Sequence, residues 1–233
     1  MFQTNPFSLI VLFVGLSLLP FVAMMATSYL KIVVVMSLIR NALGIQSIPP
    51  NMVINALAMI LTFYVMAPVA SESWNAIVES QRQGSQPVQT QAVAAAPAES
   101  STINLTSFDF PAAVEPFRKW LSNHTAPRER AFFINTAETL WGKDDNLAVV
   151  DPESFYILLP SFCVSELTKA FQIGFLVYLP FIAIDIIVSN ILLAMGMMMV
   201  SPVTISLPFK LLLFVMVNGW TLLIQGLVRG YVL

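Results

Sequence analysis

Residues 155–233 read FYILLPSFCVSELTKAFQIGFLVYLPFIAIDIIVSNILLAMGMMMVSPVTISLPFKLLLFVMVNGWTLLIQGLVRGYVL. The charged residues before Arg229 in this apolar sequence are Glu166, Lys169, Asp185 and Lys210. Its prolines are Pro160, Pro180, Pro202 and Pro208. Because a proline inside a helix removes a backbone hydrogen bond that lipid cannot replace, we expect these segments to pack against other protein. The sequence therefore predicts an all-α region of proline-broken helices with membrane hydropathy.

The composition of the whole chain supports a membrane protein. Hydrophobic residues make up 57% of the chain, charged residues 10%, and the mean hydropathy is +0.78, which lies outside the range of soluble globular proteins. The net charge of −2 argues against a nucleic-acid partner, which would require a basic surface. The single cysteine, Cys163, excludes an intrachain disulfide, and with one histidine, His124, no metal site or cofactor is expected.

The N-terminal region, residues 1–70, contains two apolar runs. The first, residues 7–30, is uncharged over about 24 residues, more than the ~20 that a spanning helix needs. It lacks the preceding basic residues of a secretory signal, so we expect it to be retained, and Gly15 and Pro20 predict a kink in it. The second run, residues 48–70, opens with a proline pair as a helix start and is expected to end near Pro68.

Residues 71–154 form a polar insert that carries eleven of the thirteen acidic residues and six of the eleven basic ones. Lys31 and Arg40 lie between the two N-terminal apolar runs, so the positive-inside rule predicts that this connection is cytoplasmic and the insert periplasmic. Residues 81–107 are polar and of low complexity, which predicts a disordered linker. Residues 114–141 are expected to form two short helices, 114–123 and 127–141, the second capped by Thr125.

The C-terminal region, residues 155–233, is expected to form a hairpin of three helices, 155–179, 181–195 and 205–228. The sequence GMMMVSPVT, residues 196–204, is then a loop between the last two. Methionine side chains are flexible and polarizable, so a cluster of them in a ring of subunits can form a deformable seal. The residues alone favour core packing of a buried turn instead. The methionines concerned are Met195, Met197, Met198 and Met199.

Charges within apolar helices are costly unless they are paired or hydrated, so they mark contacts or water paths. Glu166 and Lys169 are three residues apart and can pair on one helix face. This pairing leaves Asp185 and Lys210 without partners.

Two passages resemble a known family. They are SELTKAFQIGFLVYLPFIAIDIIVSNILLAMGMMMVSPVTISLPFKLLLFV, residues 165–215, and RNALGIQSIPPNMVINALAMILTFYVM, residues 40–66. Both are similar to the FliP/SctR family, the export-gate proteins of bacterial type III secretion systems. The resemblance implies a core subunit of the closed pore through which unfolded proteins cross the inner membrane. The retained N-terminal run favours the virulence (SctR) branch, the injectisome, because flagellar members commonly carry a cleaved signal.

The resemblance also implies partners and site residues. A pentamer of this chain would assemble with subunits of the SctS/FliQ and SctT/FliR types and contact the SctU and SctV components, with its helices largely buried in a cone-shaped complex. Met197, Met198 and Met199, with Met195 beside them, would form the gasket of the pore. Glu166 would pair with Lys210 of the neighbouring subunit, while Asp185 has no implied partner.

Two other function classes make different demands on the sequence. A secondary transporter, or a channel for a small solute, would show inverted repeats with paired broken helices, and the two apolar regions differ in length and motif. This class is the alternative interpretation. An enzyme would need a nucleophile with a base or a metal set, and the sequence contains no HExxH, Gly-x-Ser-x-Gly or Walker lysine motif. We therefore expect no enzymatic activity.

Overall fold

The computed structural model describes residues 6–45, 48–84, 110–141 and 151–231. Within these ranges all the regular elements are α-helices and there is no strand, which confirms the all-α prediction. In chain order the helices are α1 Pro6–Met25, α2 Tyr29–Ala42, α3 Asn51–Gly84, α4 Phe110–His124, α5 Pro127–Trp141, α6 Phe155–Ala194, α7 Pro202–Met216 and α8 Gly219–Arg229.

The first apolar run is broken at residues 26–28 and not at Pro20, so the predicted position of the kink was wrong. Pro20 lies inside α1, and the part of α1 from Phe13 onward meets α2 at an angle of 60°. The break coincides with a change of environment, since α1 is largely exposed whereas Ala26 and Ser28 are buried. The chain turns where it enters the core.

Helix α2 forms the centre of the larger hydrophobic core. Its buried residues recur at helical spacing, as expected for one face of a helix packed on neighbours: Ile32, Val35, Met36, Ile39 and Ala42. The opposing helix α6 approaches closely at Gly174, where a Cβ atom would lie 2.3 Å from Leu38 Cδ1. The α2–α6 contact therefore depends on a position without a side chain.

Helix α3 starts at Asn51, directly after the proline pair that was expected to open it, and it does not end near Pro68. It continues through Pro68 to Gly84, because a single proline removes one amide donor without preventing the following turns. Ser71 Oγ, one turn later, donates a 2.7 Å hydrogen bond to the Pro68 carbonyl. Residues 81–84 of the predicted disordered linker are therefore helical, and the rest of that linker, from residue 85 to 107, lies outside the described residues.

The two short helices of the insert are present as α4 and α5, and they dock on α6. Trp120 and Leu121 of α4 share a second core cluster with Leu158 and Phe162 of α6. The predicted cap of α5 was wrong, because Thr125 Oγ1 instead donates back to the Leu121 carbonyl at 2.7 Å. The amide of Ala126, at the start of α5, donates to Ser165 Oγ of α6 at 2.9 Å.

Helix α6 is one continuous helix of 40 residues, which corrects the expected division at Pro180. At 1.5 Å per residue it is about 60 Å long, twice the ~30 Å of a bilayer core. Pro160 and Pro180 both lie inside it. The helix therefore has room to extend from a membrane segment into the region occupied by α4 and α5.

The last predicted helix, 205–228, is in fact two helices that meet at an angle of 59°. The break is at Asn218, which has φ 51° and ψ 46°. Asparagine adopts this left-handed conformation more readily than most residues. Gly219 follows directly, and a Cβ atom there would lie 2.3 Å from the Phe214 ring.

Two of the described helices are long and apolar enough to cross a membrane, Asn51–Ser80 within α3 and Phe155–Ala194. The bent pairs α1–α2 and α7–α8 would each count as one further broken span, giving up to four. Many large apolar side chains on these helices are exposed in the single chain, and lipid or other subunits would cover them.

Candidate functional site

The methionine-rich loop closes the α6–α7 hairpin, as the sequence predicted, but it spans residues 195–201 and not 196–204, because α7 already begins at Pro202. Helix α6 ends in a Schellman motif, in which the amide of Met197 donates to Leu192 O and the amide of Gly196 to Leu193 O, both at 3.0 Å. Gly196 has φ +72°, a conformation that a residue with a Cβ adopts only at a cost. Pro202 then starts α7 in a position that needs no amide donor.

The methionines of this loop do not pack in the core of the chain. The exposed fraction is 67% for Met195, 43% for Met197, 83% for Met198 and 102% for Met199. The interpretation favoured by the residues alone, a buried methionine turn, is therefore wrong for the single chain. The loop presents a cluster of flexible apolar side chains at the end of a helical hairpin.

Glu166 lies at the centre of the first buried ionic cluster. Its carboxylate has no exposed surface. Oε1 accepts a hydrogen bond from Lys169 Nζ at 3.0 Å, which confirms that these two residues pair within one helix face. Oε2 lies 3.1 Å from Lys31 Nζ and also accepts a hydrogen bond from the Tyr231 hydroxyl. The cluster joins α2, α6 and the residues after α8.

Tyr231 connects this cluster to the insert. Its ring packs on Trp120 at 6.1 Å, and Lys31 Nζ lies 3.5 Å from the ring centroid. Burial and the adjoining Glu166 carboxylate raise the pKa of Tyr231 well above its ordinary value, so the hydroxyl stays protonated and acts as a donor. His124 Nε2 lies 3.3 Å from the Tyr231 carbonyl, and its own carbonyl accepts from Lys169 Nζ at 2.7 Å.

Lys31 and Tyr231 are site residues that the sequence analysis missed. Lys31 was interpreted as a charge of a cytoplasmic connection, but it is only 3% exposed and lies inside α2. Arg40, the other basic residue of that argument, donates hydrogen bonds to the Pro49 carbonyl and to Asn51 Oδ1. Lys31 is a single charge in an apolar helix, and the same pattern had indicated a contact for Glu166. It could therefore have indicated a contact for Lys31 as well.

Asp185 and Lys210 form the second ionic cluster, which the sequence left without an assignment. Lys210 Nζ lies 2.6 Å from Asp185 Oδ2 and donates a 3.3 Å hydrogen bond to the Ala42 carbonyl. Asp185 Oδ1 accepts from Ser206 Oγ at 2.6 Å. Lys210 is 3% exposed and Ser206 is fully buried, whereas the Asp185 side chain is 32% exposed, so both donors are shielded from water and the carboxylate only in part. The cluster joins α2, α6 and α7.

Glu166 and Lys210 do not contact each other within the chain. Each is buried with a different partner, Glu166 with Lys31 and Lys169, and Lys210 with Asp185. The pairing of Glu166 with Lys210 of a neighbouring subunit concerns an assembly and stays a prediction. In the single chain the two groups are already neutralised locally.

The described residues contain no group of three or more histidine, cysteine, aspartate or glutamate side chains that could hold a metal ion. An apolar cavity of about 580 Å³ lies between α6, α7 and α8, lined among others by Ile173, Phe181, Leu213, Phe214 and Leu223. Its lining contains no charged residue, so the ionic clusters described above do not open into it.

These features define a class of protein. The chain is an all-α membrane-type protein with apolar helices of spanning length, two buried ionic clusters that join distant helices, and an exposed methionine-rich loop at a hairpin end. Comparison with known proteins gives the family, since the model of the FliP family matches residues 12–227. The chain belongs to the FliP family, as the sequence analysis expected.

Its relatives are similar over nearly their whole length. The chain is 49% identical to the Yop proteins translocation protein R of Yersinia pestis, over 96% of this chain and 95% of the relative. It is 46% identical to the hypersensitivity response secretion protein HrcR of Ralstonia nicotianae, over 96% of both chains. It is 44% identical to the virulence protein YscR of Salmonella typhimurium, over 97% of both. These names are those of virulence-type proteins and not of flagellar ones.

Proposed function

We propose that this protein is a core subunit of the export gate of a virulence type III secretion apparatus, and that it helps to close the pore through which unfolded proteins leave the cell. The observation that carries the proposal is the exposure of the methionine-rich loop. A loop whose methionines were covered by their own chain would have a packing role. This loop leaves Met198 and Met199 free for contacts with other copies or with a passing chain.

The chemistry of the loop fits a deformable seal. Methionine is unbranched, and its thioether is polarizable, so clustered methionines fill an irregular opening and refill it after a disturbance. The backbone beneath them is ordered by the Schellman motif at Gly196 and by the start of α7 at Pro202. Flexible side chains on a fixed backbone suit a constriction that must yield to a polypeptide and then close.

The proposed assembly is a pentamer of this chain in the inner membrane, with the insert on the periplasmic side. Subunits of the SctS and SctT types complete it, and the SctU and SctV components contact it. The family membership supports this assembly, and so do the names of the relatives, which refer to translocation and secretion. The exposed apolar side chains on α1, α3 and α7 would be covered by such neighbours and by lipid.

Native mass spectrometry tests the assembly. The tagged chain is co-expressed with its small hydrophobic partner subunits, extracted in mild detergent and measured intact. We expect a complex that contains several copies of this chain and two different partners. A monomer or homodimer in several detergents would contradict the proposal and would favour a small-solute transporter.

A conductance measurement tests the loop. Replacing Met197, Met198 and Met199 by alanine should leave assembly intact and raise the permeability of the closed pore to small ions, because smaller side chains leave a gap. The matched control is Met52→Ala. Met52 lies at the start of α3 and is 83% exposed, as Met198 is. Equal permeability of the assembled triple variant and the control would contradict the seal.

A further inference from the structure

We propose that Asp185 is a positioning residue, which with Ser206 and Lys210 fixes the methionine-rich loop relative to α2. We call these three side chains, together with the Ala42 carbonyl, the clasp. The position of the loop is a property of the single subunit and can be measured without a pore. Only the use of that position in a seal rests on the proposed function.

The bonds of the clasp join the two arms of the α6–α7 hairpin to each other and to α2. Asp185 on α6 receives one hydrogen bond from Ser206 and one from Lys210, both on α7 and both 2.6 Å long. Both carboxylate oxygens are thus used, one by each donor, which fixes the rotation of α7 against α6. The ammonium group then continues to α2 through its 3.3 Å bond to the Ala42 carbonyl.

The contact with Ala42 has a physical cause in the end of α2. The last four carbonyls of a helix have no partner inside it, and the C-terminal end carries a partial negative charge. Ala42 is the last residue of α2, and its carbonyl is one of these groups. Lys210 therefore neutralises two sites at once, the Asp185 carboxylate and the end of α2.

The loop itself contributes little to its own placement. Met198 and Met199 are 83% and 102% exposed, so their side chains make few contacts within the described chain. Next to the loop, Gly44 after α2 faces Val203 in the first turn of α7, where a Cβ on Gly44 would lie 4.0 Å from Val203 Cγ1. The position of the loop is thus set by how α6 and α7 are held on α2.

The clasp lies close to the loop on both arms of the hairpin. Asp185 is nine residues before the end of α6 and Lys210 eight residues after the start of α7, which places the clasp about 12–14 Å from the loop. A tilt of the hairpin by about 20° at the clasp would move the loop by roughly 4–5 Å at this helical rise. A displacement of this size is measurable between two spin labels.

The experiment uses the full chain in detergent with nitroxide labels at Met198→Cys on the loop and Asn41→Cys on the exposed side of α2. The single native cysteine is first replaced, as Cys163→Ser, which keeps a donor for the Met25 carbonyl. Double electron–electron resonance then gives the distance distribution. We expect one narrow distribution for this background, and a shift of about 4–5 Å or a doubled width when Asp185→Asn is added.

Three further variants separate positioning from stability. Asp185→Glu keeps the charge and should restore the narrow distribution. Asp185→Leu combined with Lys210→Met removes the whole ion pair and puts two apolar side chains in its place, so this double variant should fold even where Asp185→Asn does not. It should still broaden the distance distribution, because the hydrogen bonds of the clasp are gone. Glu115→Gln, which breaks an exposed 3.4 Å pair in α4, is the control and should change nothing. A folded double variant with an unchanged distribution would overturn the proposal, whatever the pore assay shows.

Discussion

Glu166→Gln is the substitution that should destabilise the chain most among its ionic residues. The carboxylate is fully buried, and removing its charge leaves Lys31, 3% exposed, as an unpaired ammonium in the core. Breaking a buried pair in this way costs about 3–5 kcal/mol, which corresponds to a change of roughly 100-fold or more in the ratio of folded to unfolded chain. The reduced free energy of unfolding would be measured by denaturant titration in detergent micelles.

Two further variants provide the comparison. Lys169→Met removes the second cationic partner of Glu166 and a hydrogen bond to the His124 carbonyl. Because this lysine is 39% exposed, its loss should cost only about 1–2 kcal/mol, less than Glu166→Gln. Glu166→Gln combined with Lys31→Met leaves no unpaired charge between α2 and α6 and should recover most of the lost stability. The reasoning is refuted if Glu166→Gln costs no more than Lys169→Met, or if the double variant is less stable than the single one.

Two glycine positions give further predictions. Gly196→Ala places a Cβ at φ +72° and should lower the free energy of unfolding by about 1–2 kcal/mol, measured by denaturant titration in detergent micelles. Gly226→Ala adds a Cβ inside α8 where no atom lies within 4 Å, and it should raise the free energy of unfolding by roughly 0.5–1 kcal/mol. Equal effects of the two variants would contradict the role of the Schellman motif. Gly174→Ala should lower the free energy of unfolding by about 1–3 kcal/mol, because the new Cβ collides with Leu38. In a double-mutant cycle, adding Leu38→Ala should relieve that collision. If the two losses of stability are purely additive, the close α2–α6 approach is contradicted.

The methionine-rich loop was predictable because its signals are local. Glycine, serine and proline bound the sequence GMMMVSP, and these residues mark a helix end, a turn and a helix start within a few positions. The pairing of Glu166 with Lys169 was predictable for the same reason, since residues three apart share a helix face. Whether the loop is buried is a tertiary property, and the burial expected from the residues alone was wrong.

The helix boundaries show where the local rules for proline and asparagine were applied wrongly. Pro68 and Pro180 were expected to end helices, but α3 and α6 continue through both. A proline removes a single hydrogen bond, and the turns on either side keep theirs, so the helix can continue through it. Conversely, the break between α7 and α8 went unpredicted, although Asn218 and Gly219 form a dipeptide that is typical of turns.

The two ionic clusters could not be predicted from the sequence because their members are distant along the chain. Tyr231 and Glu166 are separated by 65 residues, and Lys210 and Asp185 by 25, so no periodicity relates them. Four of the charged residues were predicted to mark contacts, but within the chain only Glu166 and Lys169 were paired. The family resemblance paired Glu166 with Lys210 of a neighbouring subunit and gave Asp185 no partner. Lys31 was assigned to membrane topology because it and Arg40, with no acidic residue between them, lie between the first two apolar runs.

The way in which the buried charges are paired distinguishes a structural role from a role in transport. A transport site needs groups that exchange their partners for a solute or an ion, near irregular backbone that lines a cavity. Here Glu166 is enclosed by Lys31, Lys169 and Tyr231, and Asp185 uses both oxygens on α7. The cavity between α6, α7 and α8 is lined by apolar residues and glycine. Charges held in this way fix the register of helices. The first cluster joins α6 to Lys31 near the start of α2. The second joins α6, through Lys210 on α7, to the Ala42 carbonyl at the end of α2. Helix α2 is thus fixed at both ends against the helix that carries the methionine-rich loop.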